Sequence, residues 1–183
     1  RLRQGARLPR MTKILAFDLA GKTGVAFGAP GDTPLAWSFG LTGAPEKKFA
    51  SMMRLLQQII RERGPSHIAF EQPFVGKSPN VAKALFGYRA IAMGMAAWHR
   101  IPVAEVNIAK ARSHFIGHGS LKGDAAKAAV SERCSQLGWT HKNLDESDAL
   151  AVWSYHASQL SPDHANLPMR LMDGKRPTGG ARK

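Results

Sequence analysis

The chain has 183 residues, a single cysteine and a formal net charge of +13. This length suits one domain of ordinary size, and a lone cysteine excludes an internal disulfide or a cysteine-rich zinc site. A reducing compartment, the cytoplasm, is therefore expected. The longest apolar run, Ala90 to Trp98, is about half of the ~20 residues that a membrane helix needs, so no membrane span is predicted.

Much of the positive charge lies near the two ends of the chain. Residues 1–10 and residues 170–183 carry +4 each, which leaves +5 on the remainder. This distribution favours a polyanionic partner, nucleic acid before others, although a merely soluble cationic protein would have a similar composition. We expect residues 1–10 to be a basic leader or an added remnant, residues 11–161 to be one domain, and residues 162–183 to be a flexible basic tail.

Hydrophobic periodicity predicts five strands and four helices. The strands are expected at TKILAFDL, Gly24 to Gly28, PLAWSFGLT, HIAFEQP and IPVAEVN, and the helices at Glu46 to Arg63, Val81 to His99, Asp124 to Leu137 and Asn143 to Leu160. The segment IAKARSHFIGHGSLKG between the last strand and the third helix is interpreted as a basic connection. The order β-β-β-α-β-α-β-α-α predicts a mixed sheet covered by helices on both faces.

The helix from Val81 to His99 is apolar around more of its circumference than one core face requires. Leu85 and Tyr88 belong to one apolar side, and Phe86 and Met93 to another. This surplus is typical of a helix at a subunit interface and equally of a helix at the centre of the core. Both interpretations stay open at this point.

Two apolar strands end in a carboxylate. Asp18 follows the run ILAF, and Glu71 follows the run HIAF. Burying an unpaired carboxylate costs several kcal/mol, so each must be exposed, paired or bound to a cation. In a mixed sheet the ends of these strands can lie side by side.

The last predicted helix begins with three acids in the sequence LDESDAL. At about 100° per residue, Asp145 and Asp148 lie about 60° apart on one face, whereas Glu146 lies about 200° from Asp148. Only Asp145 and Asp148 can share a site, and Glu146 serves either the solvent or a capping box with Asn143. Such a pair alone would complement the helix dipole, but four clustered acids cannot all stay ionised without cations such as Mg²⁺ or Mn²⁺.

Four segments of the chain resemble, in order and spacing, the RuvC-type Holliday-junction resolvases. They are FDLAGKTGVAF, IAFEQPFVGKSPNVAKALFGYRAIA, FIGHGSLKGDAAKAAV and LDESDALAVW. The resemblance covers roughly Lys13 to Leu160 and implies a ribonuclease-H-like α/β fold with a mixed five-stranded sheet and helices on both faces. The Pro- and Gly-rich turn after Lys22 and the basic tail depart from the bacterial pattern and indicate a divergent member of phage or mobile-element type.

The resemblance also implies roles for individual residues. Asp18, Glu71, Asp145 and Asp148 match the family's four catalytic acids, which hold two divalent ions, Mg²⁺ with Mn²⁺ as a substitute. In such sites one ion activates the attacking water and the other stabilises the leaving 3′ oxygen. Lys122 matches a lysine placed by the active site.

The expected DNA-contacting residues surround these acids. Phe74 matches an aromatic that stacks on bases near the crossover, against the alternative of a core aromatic. Phosphate contacts are expected from Lys22, Lys77, Lys110, Arg112 and Lys122, each of which could also be only a solvated charge. Gly21 and Gly24 are expected to permit a tight return of the chain and to leave room for DNA backbone.

The resulting hypothesis is a Mg²⁺-dependent endonuclease that cuts four-way DNA junctions as a homodimer, with the helix Val81 to His99 as the candidate contact. One alternative is a nuclease of the same fold that acts on RNA–DNA hybrids, flaps or other branched DNA. Another is a junction-binding module without catalysis. The complete set of four acids disfavours the second alternative, because four negative charges oppose phosphate binding unless metals neutralise them.

Overall fold

The computed structural model describes residues 12–73 and 78–161 of the chain. The strands are β1 Ile14–Asp18, β2 Lys22–Gly28, β3 Leu35–Gly40, β4 His67–Glu71 and β5 Val103–Val106. The helices are α1 Pro45–Arg63, α2 Pro79–Trp98, α3 Ile108–Ile116, α4 Gly123–Gln136 and α5 Leu144–Leu160. The leader and tail predicted at the two ends lie outside the described residues, as do Phe74 and Lys77.

The strands form one mixed sheet in the order β3-β2-β1-β4-β5. The meander β1-β2-β3 is antiparallel, whereas β1-β4 and β4-β5 are parallel. The mixed five-stranded sheet with helices on both faces is thereby confirmed. Because Phe17 of β1 pairs with Phe70 of β4, the next residues, Asp18 and Glu71, emerge side by side at the same edge.

The two faces of the sheet carry side chains of different size. On the face covered by α1 and α2, β1 presents Leu15 and Phe17. On the face covered by α5, the strands present alanines, among them Ala16, Ala26 and Ala69. These small side chains allow α5 to lie close to the sheet. Since side chains alternate along a strand, Asp18 and Glu71 share the face of Ala16 and Ala69 and point toward α5.

Helix α3 corrects the sequence analysis, which predicted a connection without helix here. Asn107 caps the helix, since its side-chain oxygen accepts a hydrogen bond from the Lys110 amide at 3.1 Å. Gly117, in the left-handed conformation at φ 81°, ends it. Gly117 and Gly119 of this segment come just after the helix, and the Asn107 cap was the signal that could have revealed it.

Helix α2 lies on the surface, with one side buried and the other exposed. Tyr88 and Ala92 are buried against the core, whereas Phe86 and Met93 are 45% and 38% exposed. Trp98, at the end of the helix, is 82% exposed. Among the described residues, no helix combines the length and apolar character that crossing a bilayer would require.

Candidate active site

Four carboxylates meet where the ends of β1 and β4 face the first turns of α5. Asp18 is 9% exposed. Its burial, its hydrogen bond with Glu71 and the negative charges of Glu71, Asp148 and Asp145 all raise the pKa of Asp18 well above its ordinary value of 3.8. The structure therefore brings Glu71, Asp145 and Asp148 close enough for each of them to interact with Asp18.

Asp148 is the most deeply buried of the four acids and is held by basic side chains. Arg112 on α3 donates from Nε to Oδ1 at 2.9 Å and from Nη2 to Oδ2 at 2.7 Å. Lys127 on α4 places its Nζ 3.9 Å from Oδ2 of the same carboxylate. This bidentate, charge-assisted pairing compensates the carboxylate of Asp148, which is 1% exposed, for the water that it loses on burial.

Asp145 lies nearer the surface, and its carboxylate is 3.3 Å from the Nζ of Lys22. Lys22 begins β2, and its side chain is 55% exposed. A pair this open contributes little to stability, so its ammonium remains accessible to an incoming anion.

The predicted use of Gly24 is wrong. A side chain on Gly24 would collide with the backbone carbonyl of Asp145 and lie 3.0 Å from the Glu146 nitrogen. The space beside Gly24 is therefore filled by the first turn of α5 and not left for DNA. A side chain on Gly21, by contrast, would meet nothing within 4 Å.

The candidate DNA-contacting residues are placed differently from one another. Lys110 on α3 and Lys122, directly before α4, are exposed. Arg112 is turned inward to Asp148, and its side chain is only 16% exposed. Lys110 and Arg112 thus lie on a helix and not in a loop. Lys127 on α4, which lies near Asp148, was not among the residues predicted from the sequence.

Carboxylate oxygens are ligands that hard divalent cations prefer. In the structure these acids contact each other and basic side chains. No group of three or more Asp, Glu, His or Cys side chains within residues 12–73 and 78–161 has the arrangement that holds a metal ion. Keeping Asp18 ionised has a cost, first from burial and then from the nearby Glu71, and both raise its pKa. A cation relieves that cost, so the donor set fits Mg²⁺ or Mn²⁺.

The strand order, the α5 packing and the acids at the sheet edge together define an α/β domain of the ribonuclease-H-like class. Among solved structures, the chain is similar to Thermus thermophilus RuvC in complex with a Holliday junction, with a TM-score of 0.62 and 14% identity. That match covers 77% of this chain and 90% of the other. The structural likeness supports the fold.

The sequence comparisons identify the family. The crossover junction endodeoxyribonuclease RuvC of Gluconobacter oxydans is 32% identical over 123 residues, which is 66% of this chain and 68% of that protein. The Legionella pneumophila (strain Lens) protein of the same name is 30% identical over 100 residues, 55% of this chain and 56% of that protein. No protein-family model matches the chain. The chain belongs to the RuvC family, although its match spans little more than half of the Legionella protein.

Proposed function

We propose that this chain is a divalent-metal-dependent endonuclease that resolves four-way DNA junctions. The observation that carries the proposal is the cluster of four carboxylates around the buried Asp18, at the sheet edge of a RuvC family member. The relatives named above are crossover junction endodeoxyribonucleases, and the Thermus thermophilus structure contains a Holliday junction substrate.

The reaction is hydrolysis of a phosphodiester bond. A water oxygen forms a bond to phosphorus, the bond from phosphorus to the 3′ oxygen breaks, and the 3′ oxygen takes a proton. The products are a 5′-phosphate and a 3′-hydroxyl. Bound divalent metal, Mg²⁺ or Mn²⁺, with two ions proposed, would supply activation of the water and neutralisation of charge on the leaving oxygen.

The proposed metal-binding residues are Asp18, Glu71, Asp145 and Asp148. Asp18 and Glu71 lie on adjacent strand ends and share one hydrogen bond, so a cation can replace the proton between them. Lys22 is paired with Asp145, and Arg112 and Lys127 lie against Asp148. Arg112 gives Nε and one hydrogen of Nη2 to Asp148, which leaves Nη1 and the second hydrogen of Nη2 able to donate to a phosphate.

The proposed DNA contacts are made by lysines and by one aromatic residue. Lys22 and Lys110 offer exposed ammonium groups for phosphates, and Lys122 is proposed to act beside the reacting phosphate. Phe74 and Lys77, proposed for base stacking and phosphate binding, follow β4 directly in sequence but lie outside the described residues.

A junction has two-fold symmetry, so paired cuts need two active sites, and we propose a homodimer through α2. The exposed apolar side of this helix, which includes Phe86 and Met93, supports a subunit contact. Met93→Glu should shift the purified chain toward monomer in sedimentation analysis, whereas Lys83→Glu on the same helix is the control for an added glutamate. Equal masses for Met93→Glu and wild type would contradict this contact.

The test of activity uses purified full chain, Mg²⁺ and four substrates at equal concentration: a four-way junction, a flap, an RNA–DNA hybrid and a linear duplex. We expect paired nicks in the junction well ahead of the other three, and no cleavage by Asp18→Asn. Preferred cleavage of the flap or the hybrid would replace the junction with that substrate. Junction binding without cleavage by wild type would show a binding module and refute the enzyme.

A further inference from the structure

The first turn of α5 is tied to β3 by a hydrogen-bond network around the buried Glu146, which the proposed chemistry does not use. Glu146 is 2% exposed. Its Oε1 accepts from Ser38 Oγ at 2.8 Å and from Asn143 Nδ2 at 3.0 Å, and its Oε2 accepts from the Lys142 amide at 2.7 Å. Asn143 Nδ2 also donates to Ser38 Oγ at 3.0 Å, and the Asn143 side-chain oxygen caps α5 by accepting from the Glu146 amide.

This network selects a carboxylate at position 146. The three groups that face Glu146 all donate hydrogen bonds, and they approach both of its oxygens. A glutamine has only one accepting oxygen, so its amide would have to point at a donor. A capping box needs no contact outside its helix, and the bond to Ser38 is therefore the added feature.

Gly24 supplies a second, independent contact at the same turn. The backbone of Asp145 lies so close to Gly24 that any side chain there would collide with it. Gly24 pairs with Asp18 across the β1–β2 ladder. The backbone that carries Asp145 is therefore seated directly beside the strand position opposite Asp18.

We infer that Ser38, Asn143, Glu146 and Gly24 form an anchor that positions the Asp145 and Asp148 face of α5 for metal binding. Glu146, one residue after Asp145, points away from the acids and acts through the helix that carries them. The anchor rests on the proposed function, because its purpose is to place two of the proposed metal ligands. These four are positioning residues and not ligands.

A merely structural role would give a different result from a positioning role. If the network only stabilised the fold, removing it would lower the melting temperature of the metal-free chain and leave the affinity for metal unchanged. If it positions the acids, metal affinity falls. Replacing a residue that orients metal ligands typically lowers the affinity for the metal about 10–100-fold.

The experiment measures Mn²⁺ binding to the full chain by electron paramagnetic resonance, together with melting temperature in EDTA. We expect Ser38→Ala and Glu146→Gln to weaken Mn²⁺ binding about tenfold, and Ser38→Thr, which keeps the hydroxyl, to restore it. Gly24→Ala should weaken binding at least as much. In junction cleavage, these variants should raise the Mg²⁺ concentration that gives the half-maximal rate. The factor of that increase should exceed the factor by which they lower the rate at saturating Mg²⁺.

Each variant has a matched control that makes the same chemical change elsewhere. Ser135→Ala and Glu132→Gln alter exposed residues of α4, and Gly40→Ala adds a side chain that would meet nothing within 4 Å. Wild-type Mn²⁺ affinity in Ser38→Ala and Glu146→Gln would overturn the anchor while leaving the proposed function intact. Absence of Mn²⁺ binding by wild type itself would instead refute the metal-dependent function and the anchor with it.

Discussion

Helix α5 buries ionisable groups near both of its ends, and it does so in opposite ways. Near its beginning, Asp148 is almost wholly buried yet paired with Arg112 and close to Lys127. Near its end, the ring of His156 lies 5.9 Å from that of His67. Within the described ranges, Nε2 of His156 has no hydrogen-bond partner. Burial, followed by the proximity of His67, lowers the pKa of His156 to about 4.

The two ends therefore differ in how they meet the cost of burial. His156 avoids the cost by staying neutral near pH 7, as a packing residue does. Near the beginning of α5, Asp145 and Asp148 are paired with basic side chains, whereas burial and the neighbouring carboxylates raise the pKa of Asp18. A fold that needed only packing would have no reason to crowd four carboxylates, so the acid end is the one that we associate with catalysis.

The largest expected effect is on cleavage activity, and it should distinguish the acids near the beginning of α5 from His156 near its end. Asp18→Asn should reduce junction cleavage by more than a hundredfold, because outer contacts of metal sites already contribute about 10–100-fold and Asp18 is proposed as a direct ligand. His156→Gln should leave the cleavage rate within about twofold of wild type. The measurement is the single-turnover rate of cleavage at saturating Mg²⁺.

Asp124→Asn, at an exposed acid on α4, is the control for loss of one negative charge. Cleavage by Asp18→Asn at the wild-type rate would remove Asp18 from the mechanism. A comparable loss in His156→Gln would show that the two ends are not functionally distinct.

The next effect concerns the stability of the metal-free chain. The folded state holds a proton on Asp18 to a higher pH than the unfolded state does, since the folded pKa is raised. Stability therefore falls as pH rises from about 3.8 through the raised pKa. A tenfold difference in proton affinity between the two states corresponds to about 1.4 kcal/mol, and about 1 kcal/mol changes the melting temperature of a domain this size by about 2–4 °C.

Melting in EDTA across pH checks this expectation. The melting temperature of Asp18→Asn should not decline as pH rises, and it should exceed that of wild type at neutral pH. Mg²⁺ should raise the melting temperature of wild type only. A wild-type melting temperature that stayed level from pH 4 to pH 8 in EDTA, matching Asp18→Asn, would contradict the crowding of the acids.

Local patterns in the sequence predicted much of this site. The apolar runs before Asp18 and Glu71 indicated the strand ends, and the helical period separated Asp145 and Asp148 from Glu146. The Asn143 cap was predicted for the same reason, since capping depends on residues within one turn. Interactions that involve neighbouring positions along the chain can be predicted from the sequence alone.

Apart from α3, whose Asn107 cap is a local signal, the parts that were not predicted depend on residues far apart in the chain. Ser38 bonds to Glu146 across 108 positions, and the approach of Gly24 to Asp145 requires the whole meander to be in place. The pairing of Arg112 with Asp148 depends on α3, which was predicted as a connection. Period and propensity carry no information about such contacts, which only the packing of α5 on the sheet creates.

A smaller effect is expected at the histidine end, with the opposite sign. The unfolded His156 binds a proton near its ordinary pKa of 6.5, whereas the folded one resists it until about 4. The unfolded state thus holds more protons between these values, so stability falls as pH drops through this interval. Between pH 6.5 and pH 4, the melting temperature of His156→Gln should fall by a few degrees less than that of wild type.

His118→Gln, at an exposed histidine, is the control and should retain the wild-type dependence. An unchanged pH profile in His156→Gln would show that the buried His156 does not govern acid sensitivity. Asp18→Asn combined with His156→Gln should carry both changes additively, because the two groups lie at opposite ends of the sheet.

The smallest expected effect is on the salt dependence of DNA binding, and it should distinguish the end of the sheet that carries the acids from the opposite end. Lys110→Gln and Lys122→Gln, in the Asp18→Asn background that should not cut, should each reduce the slope of log affinity against log salt by about 1. Lys13→Gln, before β1 and at the end away from Asp18, should leave that slope unchanged.

The slope is the decisive quantity, since a lost phosphate contact lowers the number of released counterions, whereas a general loss of folded protein lowers affinity without changing the slope. Equal reductions at Lys13 and Lys110 would mean that the positive charge acts diffusely and that the acid end is not the DNA-binding end.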